Sequence, residues 1–179
     1  MRFVLSCIVL LLGGSPALAG AEAFHPGPVI PGFGKIANVV IEQPIPQNAA
    51  FKVRFDVSKG ARPGALNRTL ETAARFLNMN VANGVKESNI HLAIVLHGPA
   101  AMDVTRAAYY GPRHDGAKNA NVALVAALAE HGVQMYVCGQ TAAYLDIKND
   151  DLLPGITMAL SALTAHAILA NEGYALNPF

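Results

Sequence analysis

From Phe51 to the end of this 179-residue chain, strand-like runs alternate with helix-like ones, and that alternation constrains the fold more than any feature of composition. Phe51, Val53, Phe55 and Val57 alternate with Lys52, Arg54 and Asp56, the period-two pattern of a half-buried strand. After a turn at residues 60–64, Leu66, Leu70, Ala73, Ala74, Leu77 and Val81 share one helical face, and Gly84 is placed to stop that helix. Residues 90–96 form a compact apolar run ended by His97-Gly98-Pro99, which predicts a buried strand. A polar stretch with Tyr109, Tyr110, Gly111, Pro112 and Gly116 reads as broken helix and loop. Asn121 is positioned to cap a helix carrying Val122, Val125, Ala126 and Ala129, closed by Gly132. Residues 133–137 predict another strand, and Cys138-Gly139 leads into a brief helix over 141–145. Asp150-Asp151 then reads as the capped start of a long helix with Ile156, Leu160, Leu163, Ala167 and Ile168 on its apolar face, ending at Gly173. Residues 174–176 predict a last strand. Strands that alternate with helices pair in parallel through right-handed crossovers, so the expected architecture is a layered α/β fold around a small, mostly parallel sheet. Strand order is not legible at this level.

The first residues have a different character. Met1 and Arg2 precede an apolar run over 3–12, a Gly-Gly-Ser-Pro break, and Ala17-Leu18-Ala19, the small-x-small pattern of a signal-peptidase site. The run falls short of the ~20 residues that span a bilayer. Residues 1–19 are therefore expected to be a signal peptide cleaved after Ala19, which makes the mature chain periplasmic or secreted and leaves it no membrane anchor. Residues 20–48 read as an irregular arm, rich in Pro and Gly, in which residues 38–41 could add a short edge strand; residues 49–179 form one domain. Thirteen basic and twelve acidic residues, with no basic cluster, give no electrostatic footprint for nucleic acid. A hydrophobic fraction of 53% supplies a good core and enough apolar surface for a subunit interface.

Of the two cysteines, Cys7 lies in the leader and Cys138 stands alone in the mature chain. An unpaired cysteine in an exported protein is either a buried small hydrophobe or a reactive thiol. Its position favours reactivity. In a parallel sheet the carboxyl ends of the strands face the ligand site, and both His97 and Cys138 close strands. Gly139 allows a sharp turn, Gln140 and Thr141 open a helix, and free N–H groups there favour a thiolate or a hydropersulfide anion. His97 is either a group that orients or deprotonates a sulfur species or a structural strand-end histidine. His114 with Asp115 reads as a solvated loop or a lid, Tyr109 and Tyr110 as pocket or interface residues, and His166 as an interface or core histidine. Cys138 and His97 are too few for a zinc site, and phosphate loops, hydrolase elbows and dinucleotide fingerprints are missing from the sequence, so no metal and no cofactor are expected.

The segment Gly132-Val133-Gln134-Met135-Tyr136-Val137-Cys138-Gly139-Gln140-Thr141-Ala142 resembles the cysteine segment of the DsrE/DsrF-like family. The strand ending His97-Gly98-Pro99-Ala100 is similar to the exported branch of that family. The stretch from Pro154-Gly155 through Ala159-Leu160-Ser161-Ala162-Leu163 to Gly173-Tyr174-Ala175-Leu176 is similar as well, and the resemblance covers residues 51–176. It implies a three-layer α/β fold, a homo-oligomer (trimer or hexamer), and a strand-end cysteine that carries sulfur as a persulfide. That cysteine corresponds to Cys138, with His97, Gly139, Gln140 and Thr141 shaping its pocket. The relay proteins of the family work in the cytoplasm, whereas the leader here directs the chain out of it.

Two functions follow as expectations. One is an exported protein that handles sulfur through Cys138, as a persulfide carrier or, if catalytic, a sulfurtransferase-type relay. The other is a non-catalytic oligomeric module that binds a small ligand in the periplasm. A purely structural oligomer would leave the surroundings of Cys138 without a use.

Overall fold

The computed structural model describes residues 20–178, and the expected leader over 1–19 lies outside the described residues. Five strands form one sheet: β1 (Phe51–Val57), β2 (Ile90–Leu96), β3 (Gln134–Cys138), β4 (Ile156–Ala159) and β5 (Ala175–Asn177), all parallel, in the order β4-β3-β2-β1-β5. The helices are α1 (Arg68–Ala82), α2 (Ala107–Tyr110), α3 (Val122–Glu130), α4 (Gly139–Leu145) and α5 (Ala162–Asn171).

The chain winds from β1 to β4 in one direction across the sheet, then returns from β4 at one edge to β5 at the other. Right-handed crossovers place the helices of the outward path and of the return on opposite faces. α1 and α3 accordingly pack on the face of Phe55, Leu92, Ile94, Leu96 and Met135, where the main core lies. α5 covers the other face with Ala162, Ala165 and Leu169 against Ala93 and Val95. The strand order reverses beside β1, between β2 and β5, which is where parallel α/β sheets leave a crevice at the carboxyl ends of their strands.

The arm is held to α1 by two side chains, Arg75, which donates to the Lys35 carbonyl (2.8 Å), and above all Asn78. Asn78, fully buried, accepts from the N–H groups of Val29 (3.0 Å) and Ile30 (2.8 Å) and donates to the carbonyls of Ile30, Phe33 and Gly34. Gly34, at φ +62°, leaves no room for a Cβ against the backbone of Ala74 and Arg75. Residues 38–41 do not form the expected edge strand; Val39, Val40 and Ile41 are exposed, and the arm's one bridge pairs His25 with Ile36. The run pairs with neither edge strand of the sheet, β4 or β5.

The long helix expected from Ile156 is two elements. Ile156–Ala159 is β4, and only after Ser161 does a helix begin, because the Ser161 hydroxyl accepts the N–H of Thr164 (3.0 Å) and caps it. Asp150-Asp151 belongs to a separate short 3-10 turn, Asn149–Asp151. Asn121 does not cap α3 with its side chain; its Oδ1 accepts the N–H of Asn67 (2.7 Å) and ties two loops together. Among the described residues no helix is long and apolar enough to cross a membrane.

Candidate functional site

Register brings Cys138 and His97 together. Leu96 pairs with Val137 and faces the main core, so the next residues, His97 and Cys138, emerge side by side on the opposite face. Neighbouring strands lie about 4.8 Å apart. Asp56 follows on β1, where it pairs with Val95 on the same face. These three residues, with Arg54, Gln140, Thr141, Ser161, His166 and Leu176, line a cleft of about 520 Å³ at the carboxyl edge of the sheet.

Cys138 is a free thiol at the bottom of this cleft, 6% exposed. It occupies the N-cap position of α4, but the sulfur closes no ordinary capping hydrogen bond. Burial pushes its pKa up, while the N–H groups of Thr141 and Ala162, the Thr141 hydroxyl and the N–H of Gln140 outweigh burial, and the thiol is held below its ordinary value. α4 has only seven residues, so the local N–H groups facing the sulfur, rather than a long helix dipole, favour the thiolate. Gly139 is required by contact: a Cβ there would lie 2.5 Å from the Ala159 carbonyl oxygen and 3.0 Å from that of Leu160. Gln140 donates to the Leu160 carbonyl (3.3 Å), and the Thr141 hydroxyl accepts from the Gly98 N–H (3.1 Å), so α4 is fastened to both β4 and the end of β2.

A second group in the cleft was not legible as a unit. His97 and His166 both place Nε2 on one oxygen, Asp56 Oδ1, at 3.1 and 2.8 Å. Burial raises the Asp56 pKa, but the hydrogen bonds from His166 and His97 and their charges outweigh it and hold the carboxyl below its ordinary value. An ionised carboxylate only accepts, so both Nε2 atoms carry the hydrogen and each ring presents Nδ1 as its remaining nitrogen. His166 Nδ1 is buried and makes no hydrogen bond among the described residues. Arg54 donates through Nη1 to the Tyr174 carbonyl, and its Nε is likewise buried without a partner.

Of the residues singled out from sequence, Cys138, His97, Gly139, Gln140 and Thr141 thus meet at one place. His166 joins them, which sequence reasoning had set in a core or an interface. Asp56 and Arg54 were missed, although both occupy the polar positions of β1 that alternation turns to the site face. His114 lies away from the cleft: its ring stacks on Tyr110 at 4.0 Å and its Nδ1 meets the Tyr110 carbonyl. Tyr110 is fully buried, and Tyr109 donates its hydroxyl to the Leu145 carbonyl, so both tyrosines are packing residues.

The model of the DsrE/DsrF-like family matches residues 55–178. Among solved structures, the chain is similar to one described as a protein of unknown function, MTH1491, from Methanobacterium thermoautotrophicum. The TM-score is 0.51 at 17% identity, over 72% of this chain and 99% of that one, a likeness of fold. A search of curated proteins gives no significant match.

Proposed function

Because this chain belongs to the DsrE/DsrF-like family, we propose that its sulfur-relay-related role is performed by Cys138 as a persulfide carrier. The observation that carries the reading is a cysteine at a strand end whose sulfur is approached by the N–H groups of Thr141, Ala162 and Gln140, in a cleft open to solvent. The Cys138 thiolate attacks the outer sulfur of a donor such as thiosulfate. The donor's S–S bond breaks, its electron pair leaves with sulfite, and the new terminal sulfur takes a proton from water to give Cys–S–SH. An acceptor thiolate then attacks that terminal sulfur, and Cys138 leaves as the thiolate. Gly139, Gln140 and Thr141 hold the N–H groups in place, and His97 stands beside the sulfur.

The same reading takes the protein to act in the periplasm or outside the cell, with residues 1–19 removed after Ala19, and to assemble as a homo-oligomer, trimer or hexamer. The apolar residues Leu160, Leu163, Ile168 and Leu176, all exposed around α5, support an assembly face. A second reading, a small-ligand module, draws on an apolar pocket of about 390 Å³ formed by Gly98, Pro99, Met102, Tyr144 and Leu145, which shares Gln140 and Thr141 with the cleft.

Intact mass decides between them. After incubation with thiosulfate or polysulfide, the mature protein is expected to gain the mass of one sulfur and Cys138→Ser none. Failure of the wild-type protein to gain it, with a small molecule retained through purification and unaffected by the substitution, overturns the carrier reading in favour of the second.

A further inference from the structure

The hand-off step has a proton to dispose of. An alkyl thiol has a pKa of about 8.5 and arrives at neutral pH mostly protonated, and only its thiolate attacks sulfur. A base in the cleft that takes that proton raises the fraction of acceptor able to attack. The groups that face the site are Asp56 and Arg54 from β1, His97 from the end of β2, Cys138 from the end of β3 and His166 from α5. Arg54 is a permanent cation and donates to the Tyr174 carbonyl. Asp56 Oδ1 is occupied by two imidazoles, and a carboxyl held below its ordinary value is a weak base toward a thiol. Of the two imidazoles, His166 has its Nδ1 sealed from solvent, while His97 keeps a third of its side chain exposed at 33%. His97 is therefore the base an incoming molecule can reach.

Resting on the persulfide reading, we propose that His97 accepts the proton of an alkyl thiol acceptor at Nδ1, and that Asp56 and His166 are positioning residues for it. Asp56 fixes the Nε2–H tautomer of His97 and balances the imidazolium that forms; His166, bonded to the same oxygen, holds the carboxylate in place. The step balances without any outside oxidant or reductant. R–SH gives its proton to His97, the resulting thiolate attacks the terminal sulfur of Cys138–S–SH, the S–S bond breaks, and its electron pair stays on Cys138 as the thiolate. The products are R–S–SH, the Cys138 thiolate and the His97 imidazolium, which returns its proton to water.

The test starts from protein loaded to one sulfur per chain and follows discharge by mass and by the rate at which R–S–SH appears. The acceptors are N-acetylcysteine, protonated at pH 7, and an aryl thiol already ionised there. His97→Gln keeps an N–H for Asp56 but has no base. It is expected to lose about a hundredfold in rate with N-acetylcysteine at pH 7. The deficit shrinks with the aryl thiol, and with N-acetylcysteine as pH rises through that thiol's own ionisation. Asp56→Asn is expected to show a smaller loss and a displaced pH profile. A His97→Gln protein that discharges with the wild-type rate and pH profile overturns the assignment while leaving the carrier reading intact; a wild-type protein that never loads sulfur removes both.

Discussion

Cys138 has a neighbourhood in which three backbone N–H groups and one hydroxyl oppose the effect of burial. Thr141 supplies two of those four, and its hydroxyl oxygen is itself fixed by the Gly98 N–H. Alkylation of the folded protein by iodoacetamide is therefore expected to follow a titration with its midpoint below that of an ordinary thiol. Thr141→Val removes a donor that favours the thiolate, so the midpoint moves up, toward the ordinary value; an unmoved midpoint would show that the backbone alone sets it. Sequence reasoning located this residue because a lone cysteine followed by glycine at a strand end is a local signal. It did not locate Asp56 or recruit His166, because their meeting spans 110 residues and depends on which face α5 covers. No spacing rule reaches that far.

Among the elements, β1, β2, β3, α1 and α3 were legible because each carries a clear apolar pattern, and glycines stand just beyond both helices. Gly132 and Gly173 take φ values of +72° and +87°, as helix-ending glycines do. The stretch from Ile156 misled for a physical reason. Leu160, Leu163 and Ile168 are spaced like the inner face of a helix, yet they are 72%, 84% and 52% exposed. The buried side of α5 is made of the small residues Ala162 and Ala165 with Leu169, so the large apolar residues point outward and the periodicity was read with the wrong sense. Gly139 shows how tightly α4 is set against β4. Gly139→Ala forces apart the helix start and the Ala159 carbonyl, at a cost of about 1–3 kcal/mol. Chemical denaturation would register that loss. The same shift withdraws N–H groups from the sulfur, so the alkylation midpoint of this variant is also expected to rise.

At the scale of the whole molecule, the sheet has α1 and α3 on one face and, among the described residues, only α5 on the other. The outward-pointing Leu163 and Ile168 of α5, with the neighbouring Leu160 and Leu176, leave that side apolar where the cleft opens. If this face joins copies of the chain, Leu163→Lys places a charge in the contact and is expected to shift sedimentation toward the monomer, with the fold kept because Leu163 is 84% exposed. A variant that sediments like the wild type excludes Leu163 from the assembly face. The connection from β4 to α5 is only Leu160 and Ser161, and Ser161 is committed to capping the helix. Two residues are too few to fold over as a flap. If Cys138 carries sulfur in an oxidising compartment, as proposed above, the lifetime of that sulfur is set by how soon another surface settles over the cleft.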